Sequence, residues 1–172
     1  MHNKRHIPTI GAGHRRISII LLLGCLALII SLLSGCTTAT DRQKKLYDNA
    51  AELVQDGDTY SYTNRTWEVL GDNCTLTFSS FNGMETLWLI HAEGKGKVTF
   101  DHLQQVDRGK FKLVVISPSS QVKTLAEGST EGQLELKITE KGSYRIKVVG
   151  RGAKGKLKTS IHADEGIRVA MK

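Results

Sequence analysis

The side chains that could act as nucleophiles, acid–base groups or metal ligands are scattered along this sequence. Three histidines lie far apart in strand-like segments without the H-E-x-x-H or any other paired metal spacing: His91, His102 and His162. No serine lies in a G-x-S-x-G elbow, and no glycine-rich phosphate loop precedes a helix. Carboxylates are plentiful, but no spacing marks an acid–base pair. The sequence therefore predicts a protein that is not an enzyme, with no catalytic residue, no metal and no cofactor.

One group of side chains has a recognisable chemistry, the binding of anions. Six cationic residues follow one another without an acidic residue among them: Arg145, Lys147, Arg151, Lys154, Lys156 and Lys158. If residues 150–155 form a turn, four of the six project from the outer face of one hairpin. We hypothesise a contact with anionic lipid headgroups or an anionic wall polymer, to which each cation contributes about 1 kcal/mol. The alternative is a solvated face whose lysines protect a sheet edge from aggregation.

The first 35 residues have the organisation of an export signal. Residues 1–16 carry four basic side chains and no acidic one, and residues 17–33 are apolar apart from Ser18, Gly24 and Ser31. This apolar run of 17 residues is short for a transmembrane helix, which needs about 20. No other long apolar run occurs in the sequence, so the residues that end this run decide between a signal and an anchor.

The apolar run ends in Leu33-Ser34-Gly35-Cys36, which resembles the lipobox of bacterial lipoprotein precursors. The resemblance implies that Cys36 receives a diacylglyceryl group and that a signal peptidase cleaves between Gly35 and Cys36. The small residues suit an extended chain in a protease active site, and the thiol is the nucleophile. Two acyl chains give stable anchoring where one is marginal. The alternatives are an uncleaved signal anchor and a secreted protein with a chance cysteine.

Cleavage would change both the charge and the partners expected of the protein. The whole chain of 172 residues has a formal net charge of +7, whereas the chain from residue 36 keeps 20 basic and 17 acidic residues, a net charge of +3. The expected location is the extracytoplasmic face of the cell membrane, or the outer membrane if the organism has one, which excludes nucleic-acid partners. Residues 36–40 form a tether of at most about 15 Å, so the domain would lie close to the membrane.

The chain after the tether predicts one short helix followed by a domain of β-strands. Apolar residues recur at helical spacing after a cap at Thr40 or Asp41, and they predict a helix over 41–57 whose apolar face is Leu46, Ala50, Leu53 and Val54. From residue 58 the alternation has period two, and glycines separate the segments. It predicts about nine strands, at 59–70, 74–80, 84–91, 97–102, 110–117, 121–126, 133–139, 143–149 and 156–162, with a tenth at 167–171. Many short antiparallel strands without intervening helices predict a single antiparallel β-sandwich over 58–172.

The C-terminal half carries a second resemblance. From Gly109, a hydrophobic strand ends in Ser117-Pro118, a polar hairpin and an alternating strand follow, and then comes the segment Gly-Ser-Tyr-Arg-Ile-Lys at 142–147. The pattern resembles jelly-roll modules such as pre-peptidase C-terminal and galactose-binding-like domains, and small lipoproteins of Gram-positive bacteria. It implies a jelly-roll-like sandwich and non-covalent binding. Because unrelated functions share sandwich scaffolds, the resemblance names no ligand.

Several side chains of the predicted sandwich indicate either its core or a possible ligand contact. Trp88 lies in a segment that is apolar on both faces, which predicts a core residue of a central strand, and Cys74 shares the face of Leu76, which predicts a buried thiol. Trp67, with Tyr60 or Tyr62, lies on a more polar strand and could stack against a sugar. The alternative for these aromatic residues is edge-strand packing against the N-terminal helix.

Three classes of function are compatible with these features. The leading interpretation is a membrane-anchored, non-catalytic accessory module that binds an envelope partner, either a protein complex or a polymer. The second is a sandwich that binds a glycan or small ligand, which would predict a concave face lined by Trp or Tyr with converging polar groups. The third, an envelope hydrolase, requires His, Asp or Glu clustered in a pocket.

Overall fold

Three antiparallel strands of 20 to 22 residues dominate the fold. They belong to the computed structural model, which describes residues 39–172. The strands are β1 (Thr59–Ser61), β2 (Asn64–Leu70), β3 (Asn73–Ala92), β4 (Gly96–Ile116), β5 (Val122–Glu127), β6 (Thr130–Ile138), β7 (Gly142–Ala163) and β8 (Ile167–Met171). The sequence predicts β3, β4 and β7 as two strands each. In each of these three cases the structure has one continuous strand where the sequence predicts two. This is the main difference from the predicted strand boundaries.

Each long strand bends in the middle, so its two halves pair with different neighbours. The register of β3 shifts between Phe78 and Gly83, and that of β4 shifts between Val106 and Lys110. At the second bend the backbones of β4 and β7 approach so closely that a Cβ on Gly109 would overlap the backbone of residue 152. Gly109 also has a φ of 76°, in the left-handed region that favours glycine. The backbone conformation and the missing Cβ of such a glycine therefore allow a strand to bend without reversing its direction.

The bends divide the sheet into two layers. Layer A contains, in order, β2, residues 73–78 of β3, residues 155–163 of β7, residues 96–106 of β4, and β6. Layer B contains β1 and β8 along one edge, then residues 81–92 of β3, residues 142–153 of β7, residues 110–116 of β4, and β5. All of these pairings are antiparallel. The predicted class, a mainly antiparallel β-sandwich after a short helical segment, is confirmed.

The core between the layers is built from the inward side chains of the long strands. Phe78 and Phe111 stack at 4.4 Å between ring centroids, and Trp88 lies against Phe100 at 6.2 Å. Trp88 and Cys74 are each only 1% exposed, as predicted. Alternation along each strand identifies the inward residues because successive side chains point to opposite faces.

The N-terminal helical segment is shorter and more broken than the predicted helix over 41–57. It consists of α1 (Asp41–Lys45), a 3-10 turn (Leu46–Asp48) and α2 (Ala50–Leu53). Thr40 caps α1 through a capping box with Gln43. Asn49 interrupts the helix and starts α2 by accepting a hydrogen bond from the N–H of Glu52. Because of this interruption, Ala50 is exposed instead of facing the sandwich.

The helical segment packs on the outer face of layer B. Leu46, Tyr47 and Leu53 form a second buried cluster with outward residues of that layer, namely Met84, Val114, Ile116 and Val149. The predicted signal peptide, residues 1–35, and the predicted lipidation site at Cys36 lie outside the described residues. Within residues 39–172, no helix is long and apolar enough to cross a membrane.

Candidate functional site

The two outer faces of the sandwich differ in what covers them. The N-terminal segment, residues 40–58, lies on layer B, whereas no other segment of residues 39–172 covers the centre of layer A. Outward side chains of layer A are correspondingly exposed, including Leu103, which has 42% of its surface accessible. Leu70, opposite Asn73 at the β2 edge, is also exposed, at 82%, but these two separate apolar residues do not form a hydrophobic patch. The outer face of layer A is therefore the free polar surface of the described chain.

A shallow, open groove of about 560 Å³ crosses this free surface. Its lining comes from four adjacent strands and includes Asn73, Asp101, Glu131, Gln133, Lys158 and Ser160. Register explains why these residues meet. Asn73 lies opposite Ser160, Ser160 opposite Asp101, and Asp101 opposite Gln133, which makes one row across four strands. Directly opposed residues of antiparallel strands project to the same face, so the row forms a continuous strip of polar groups.

Asp101 is the centre of the groove. Gln133 Nε2 donates to Asp101 Oδ1 at 3.0 Å, and Ser160 Oγ donates to the other carboxylate oxygen at 3.5 Å. A carboxylate has more acceptor positions than these two bonds occupy, and the Gln133 amide keeps a free carbonyl oxygen. With the Lys158 ammonium beside them, these groups offer both donors and acceptors to a ligand.

His102 supports the groove and does not point a free nitrogen into it. Its Nδ1 lies 2.8 Å from the carbonyl oxygen of Gly132, and its Nε2 lies 3.1 Å from Thr130 Oγ1. Both ring nitrogens are therefore used to connect β4 with β6, and the side chain is 8% exposed. His91 lies in layer B and pairs with Glu93 at 2.9 Å. Among residues 39–172, no group of three or more His, Cys, Asp or Glu residues is arranged to hold a metal ion.

The aromatic side chains considered for sugar stacking do not line the groove. Tyr62 stacks on Phe81 at 4.5 Å and donates its hydroxyl to Glu85 at 2.5 Å. Burial and the neighbouring Glu85 raise the pKa of Tyr62, so its hydroxyl remains a donor. Arg65 lies over the Trp67 ring at 5.1 Å. Tyr62 and Trp67 pack against the core at the sandwich edge, whereas Tyr60 is 44% exposed.

The predicted hairpin at residues 143–162 is wrong. Residues 142–163 form the single strand β7, which pairs with β3 on one side and β4 on the other. A central strand with partners on both sides cannot fold back on itself at residues 150–155. The glycines in that stretch allow the strand to bend and to approach β4 closely. Their number gives the stretch the amino-acid composition of a turn.

Three of the six predicted anion-contacting cations bind the N-terminal segment, and Arg151 is the most exposed of the three. Lys147 is fully buried, and its Nζ donates to the carbonyl oxygens of Gln55 at 3.2 Å and Gly57 at 2.9 Å. Arg145 donates to the carbonyl oxygen of Val54 at 2.8 Å and pairs with Asp56, and Arg151 pairs with Asp48 at 2.5 Å. Cations that meet the carbonyl end of a helix are favourable. An anionic contact of Lys154, Lys156 and Lys158 stays a prediction.

Asp58 completes the attachment of the N-terminal segment. Its carboxylate accepts from Thr86 Oγ1 at 2.6 Å, from the Thr86 N–H at 3.0 Å and from Lys172 Nζ at 2.8 Å. Lys147 Nζ lies 3.8 Å from the same carboxylate. We call Asp58, Arg145 and Lys147, with the carbonyl groups of residues 54–57, the N-terminal clamp. It connects the helical segment to the central strand of layer B.

The clamp predicts a loss of stability in acid. Burial disfavours the Asp58 charge, but hydrogen bonds from Lys172 and Thr86 outweigh it and lower the pKa below its ordinary 3.8. A lowered carboxyl pKa gives stability that is present above the unfolded pKa and is lost as the pH falls through the folded pKa. We expect Asp58→Asn to be less stable at neutral pH and to lose less stability on acidification below about pH 4. Denaturant unfolding across the pH range measures both effects, with the exposed Asp72→Asn as the control. An acid dependence identical to that of the wild type would contradict this role of Asp58.

A scan of the sequence against protein-family models gives no match, and a search of curated proteins gives none either. Among solved structures, similar ones include a family 29 carbohydrate-binding module complexed with mannohexaose, which is 15% identical over 63% of this chain and 82% of that chain, with a TM-score of 0.37. A mutant of a family 29 module has the same identity and coverage and a TM-score of 0.39. A further family 29 module is 14% identical over 63% of this chain and 79% of that chain, with a TM-score of 0.34. At these TM-scores the likeness identifies neither a family nor a ligand.

Proposed function

We propose that this protein is a lipid-anchored, non-catalytic binding module on the extracytoplasmic face of a bacterial cell envelope. The observation that carries the proposal is the difference between the two outer faces. The segment that follows the predicted lipidation site at Cys36 is fixed to layer B by the N-terminal clamp, and the polar groove of layer A stays open. A domain held at one face presents the opposite face to an envelope partner.

The groove fits a hydroxyl-rich ligand such as a glycan strand of the envelope. Its central row alternates amide, hydroxyl and carboxylate groups across neighbouring strands, at a spacing of about 4.8 Å. Such a row can donate to and accept from successive hydroxyl groups of an extended polymer. The exposed Leu103 provides apolar contact beside the row. The proposed glycan site thus uses Asp101 and Gln133, not the aromatic residues of the sandwich edge.

The non-catalytic part of the proposal rests on how the groove groups are used. A general base needs a free lone pair within reach of the substrate. Both His102 nitrogens are occupied by β6, so among the described residues the groove offers no free imidazole nitrogen as a general base. The arrangement holds polar groups in fixed positions, as a recognition surface requires.

The proposal is tested by separating the anchor from the groove. Incorporation of labelled fatty acid into the full chain is expected to disappear in Cys36→Ala and to persist in the double variant Asp101→Ala/Gln133→Ala. In sedimentation with purified cell-wall glycan, the double variant should bind about 30-fold more weakly, because each of the two lost hydrogen bonds contributes on the order of 1 kcal/mol.

The matched control is Glu165→Ala/Gln121→Ala, which removes the same charge and the same amide at exposed positions outside the groove. It should label with fatty acid and sediment with glycan as the wild type does. Lipid incorporation that survives Cys36→Ala would refute the anchor. Equal sedimentation of the groove variant and its control would refute the groove.

A further inference from the structure

The bend where β4 and β7 pass between the layers brings together cations that are far apart in sequence. In the ladder between these strands, Arg108 lies directly opposite Lys154, and Lys110 lies directly opposite Arg151. Lys112 is the next outward residue of β4. We call these five residues the basic ridge. Only two of them, Arg151 and Lys154, belong to the cationic group that the sequence shows.

Acidic side chains offset only part of the charge of the basic ridge. Arg151 pairs with Asp48, but the other four cations form no ion pair with any acidic residue of the part of the chain that the structure describes. Glu127 lies opposite Lys112 in the ladder with β5, and its carboxylate accepts the Tyr47 hydroxyl at 2.7 Å. Like charges directly opposite each other in a sheet are destabilising. A bound polyanion would remove that repulsion.

Tyr47 arranges three members of the ridge around one ring. Lys112 Nζ lies 4.5 Å from the ring centroid, Arg151 Cζ lies 5.6 Å from it and Lys110 Nζ lies 5.8 Å from it. The electron-rich face of an aromatic ring attracts cations without cancelling their charge. The ring therefore holds the cations in place and leaves them able to bind an anion.

We propose that the basic ridge binds anionic lipid headgroups and forms a second membrane contact beside the lipid on Cys36. This inference rests on the proposed function, because the anchor places the ridge. Tyr47 follows Thr40 by seven residues, which is roughly 10 Å along a helix. Residues 37–39 span at most roughly 10 Å, and the Debye length at physiological salt is about 8 Å. The short path from Cys36 favours a lipid surface over a distant wall polymer.

Vesicle binding by residues 39–172 tests the ridge without the lipid anchor. The two buried clusters of the described residues are built from side chains of this segment. We expect binding to phosphatidylcholine vesicles that contain phosphatidylglycerol, weakening with salt, and none to phosphatidylcholine alone. Each cation near an anionic surface contributes about a five-fold factor, so Arg108→Gln/Lys110→Gln/Lys154→Gln should bind on the order of 100-fold more weakly.

The matched control is Lys95→Gln/Lys123→Gln/Lys137→Gln, which makes the same charge change at exposed positions away from the ridge. If the position of the cations determines vesicle binding, this control variant should bind vesicles within about two-fold of the wild type. Circular dichroism and thermal unfolding verify that both triple variants are folded. Equal weakening in the two variants, no binding of the wild type at low salt, or binding to purified anionic wall polymer without binding to vesicles would overturn the assignment. None of these outcomes affects the fatty-acid or glycan tests of the proposed function.

Discussion

Replacing Lys147 by alanine is expected to lower the free energy of unfolding by about 3 kcal/mol. Lys147 is fully buried, and burial lowers the pKa of its ammonium group. Its charge is tolerated because the ammonium group donates hydrogen bonds to the carbonyl oxygens of Gln55 and Gly57 and the Asp58 carboxylate lies 3.8 Å away. Alanine removes the side-chain donor of the Gly57 carbonyl oxygen and leaves the Gln55 carbonyl oxygen with Arg145 alone. The N-terminal clamp should then open before the sandwich does.

Denaturant unfolding measures the loss, and hydrogen exchange of residues 40–58 locates it. Lys147→Met separates the two roles of the side chain, because methionine keeps the apolar stem and removes the donors. We expect it to be intermediate between the wild type and Lys147→Ala. The control is Lys156→Ala on the same strand, which should stay within about 0.5 kcal/mol of the wild type. A Lys147→Ala protein of wild-type stability and exchange would show that the clamp contributes nothing.

The second large effect is expected at the bend, where Gly155→Ala should cost about 3 kcal/mol. A Cβ at this position would overlap the backbone carbonyl oxygen of Gln105 and lie 3.1 Å from the Val106 Cα. Backbone atoms of a paired strand cannot move aside as a flexible side chain does. Relief of the overlap therefore requires β4 and β7 to separate at the point where both strands change layers.

Thermal unfolding checks this prediction, with a loss of roughly 10 °C expected from that change in free energy. Gly94→Ala is the control, because a Cβ there meets no atom within 4 Å. The bend also sets the positions of the basic ridge and the groove. A folded Gly155→Ala protein should therefore lose vesicle binding in part, whereas Gly94→Ala should keep it. Equal melting temperatures of the two variants would contradict the close approach.

The strands illustrate what local pattern can and cannot predict. Alternation identifies which side chains of β3, β4 and β7 point inward, because the period of two is a local property. It does not distinguish a bend from a hairpin, since both use glycine. The stretch over 150–155 has the composition of a turn, and only the partners on both sides of β7 make it a continuous strand.

The candidate site depends even more on register. Asp101 and Gln133 are each marked as outward by the alternation around them, but their contact is set by the pairing of β4 with β6. Lys147 is outward in the same sense, yet it is buried because the N-terminal segment lies over it. No local signal reports such a covering segment. The predicted set of six cations therefore combined buried clamp residues with free surface ones.

The N-terminal clamp also has a mechanical consequence. If a lipid holds the protein at Cys36, any pull on the anchor enters the domain through residues 40–58. Arg145 and Lys147 pass that load to β7, a strand hydrogen-bonded on both sides, and not to an edge strand that could be unzipped one bond at a time. Lys172, which follows β8, pairs with Asp58 at 2.8 Å and strengthens the attachment at the same point. The load would therefore reach the central strand β7 before it reaches the edge strand β1.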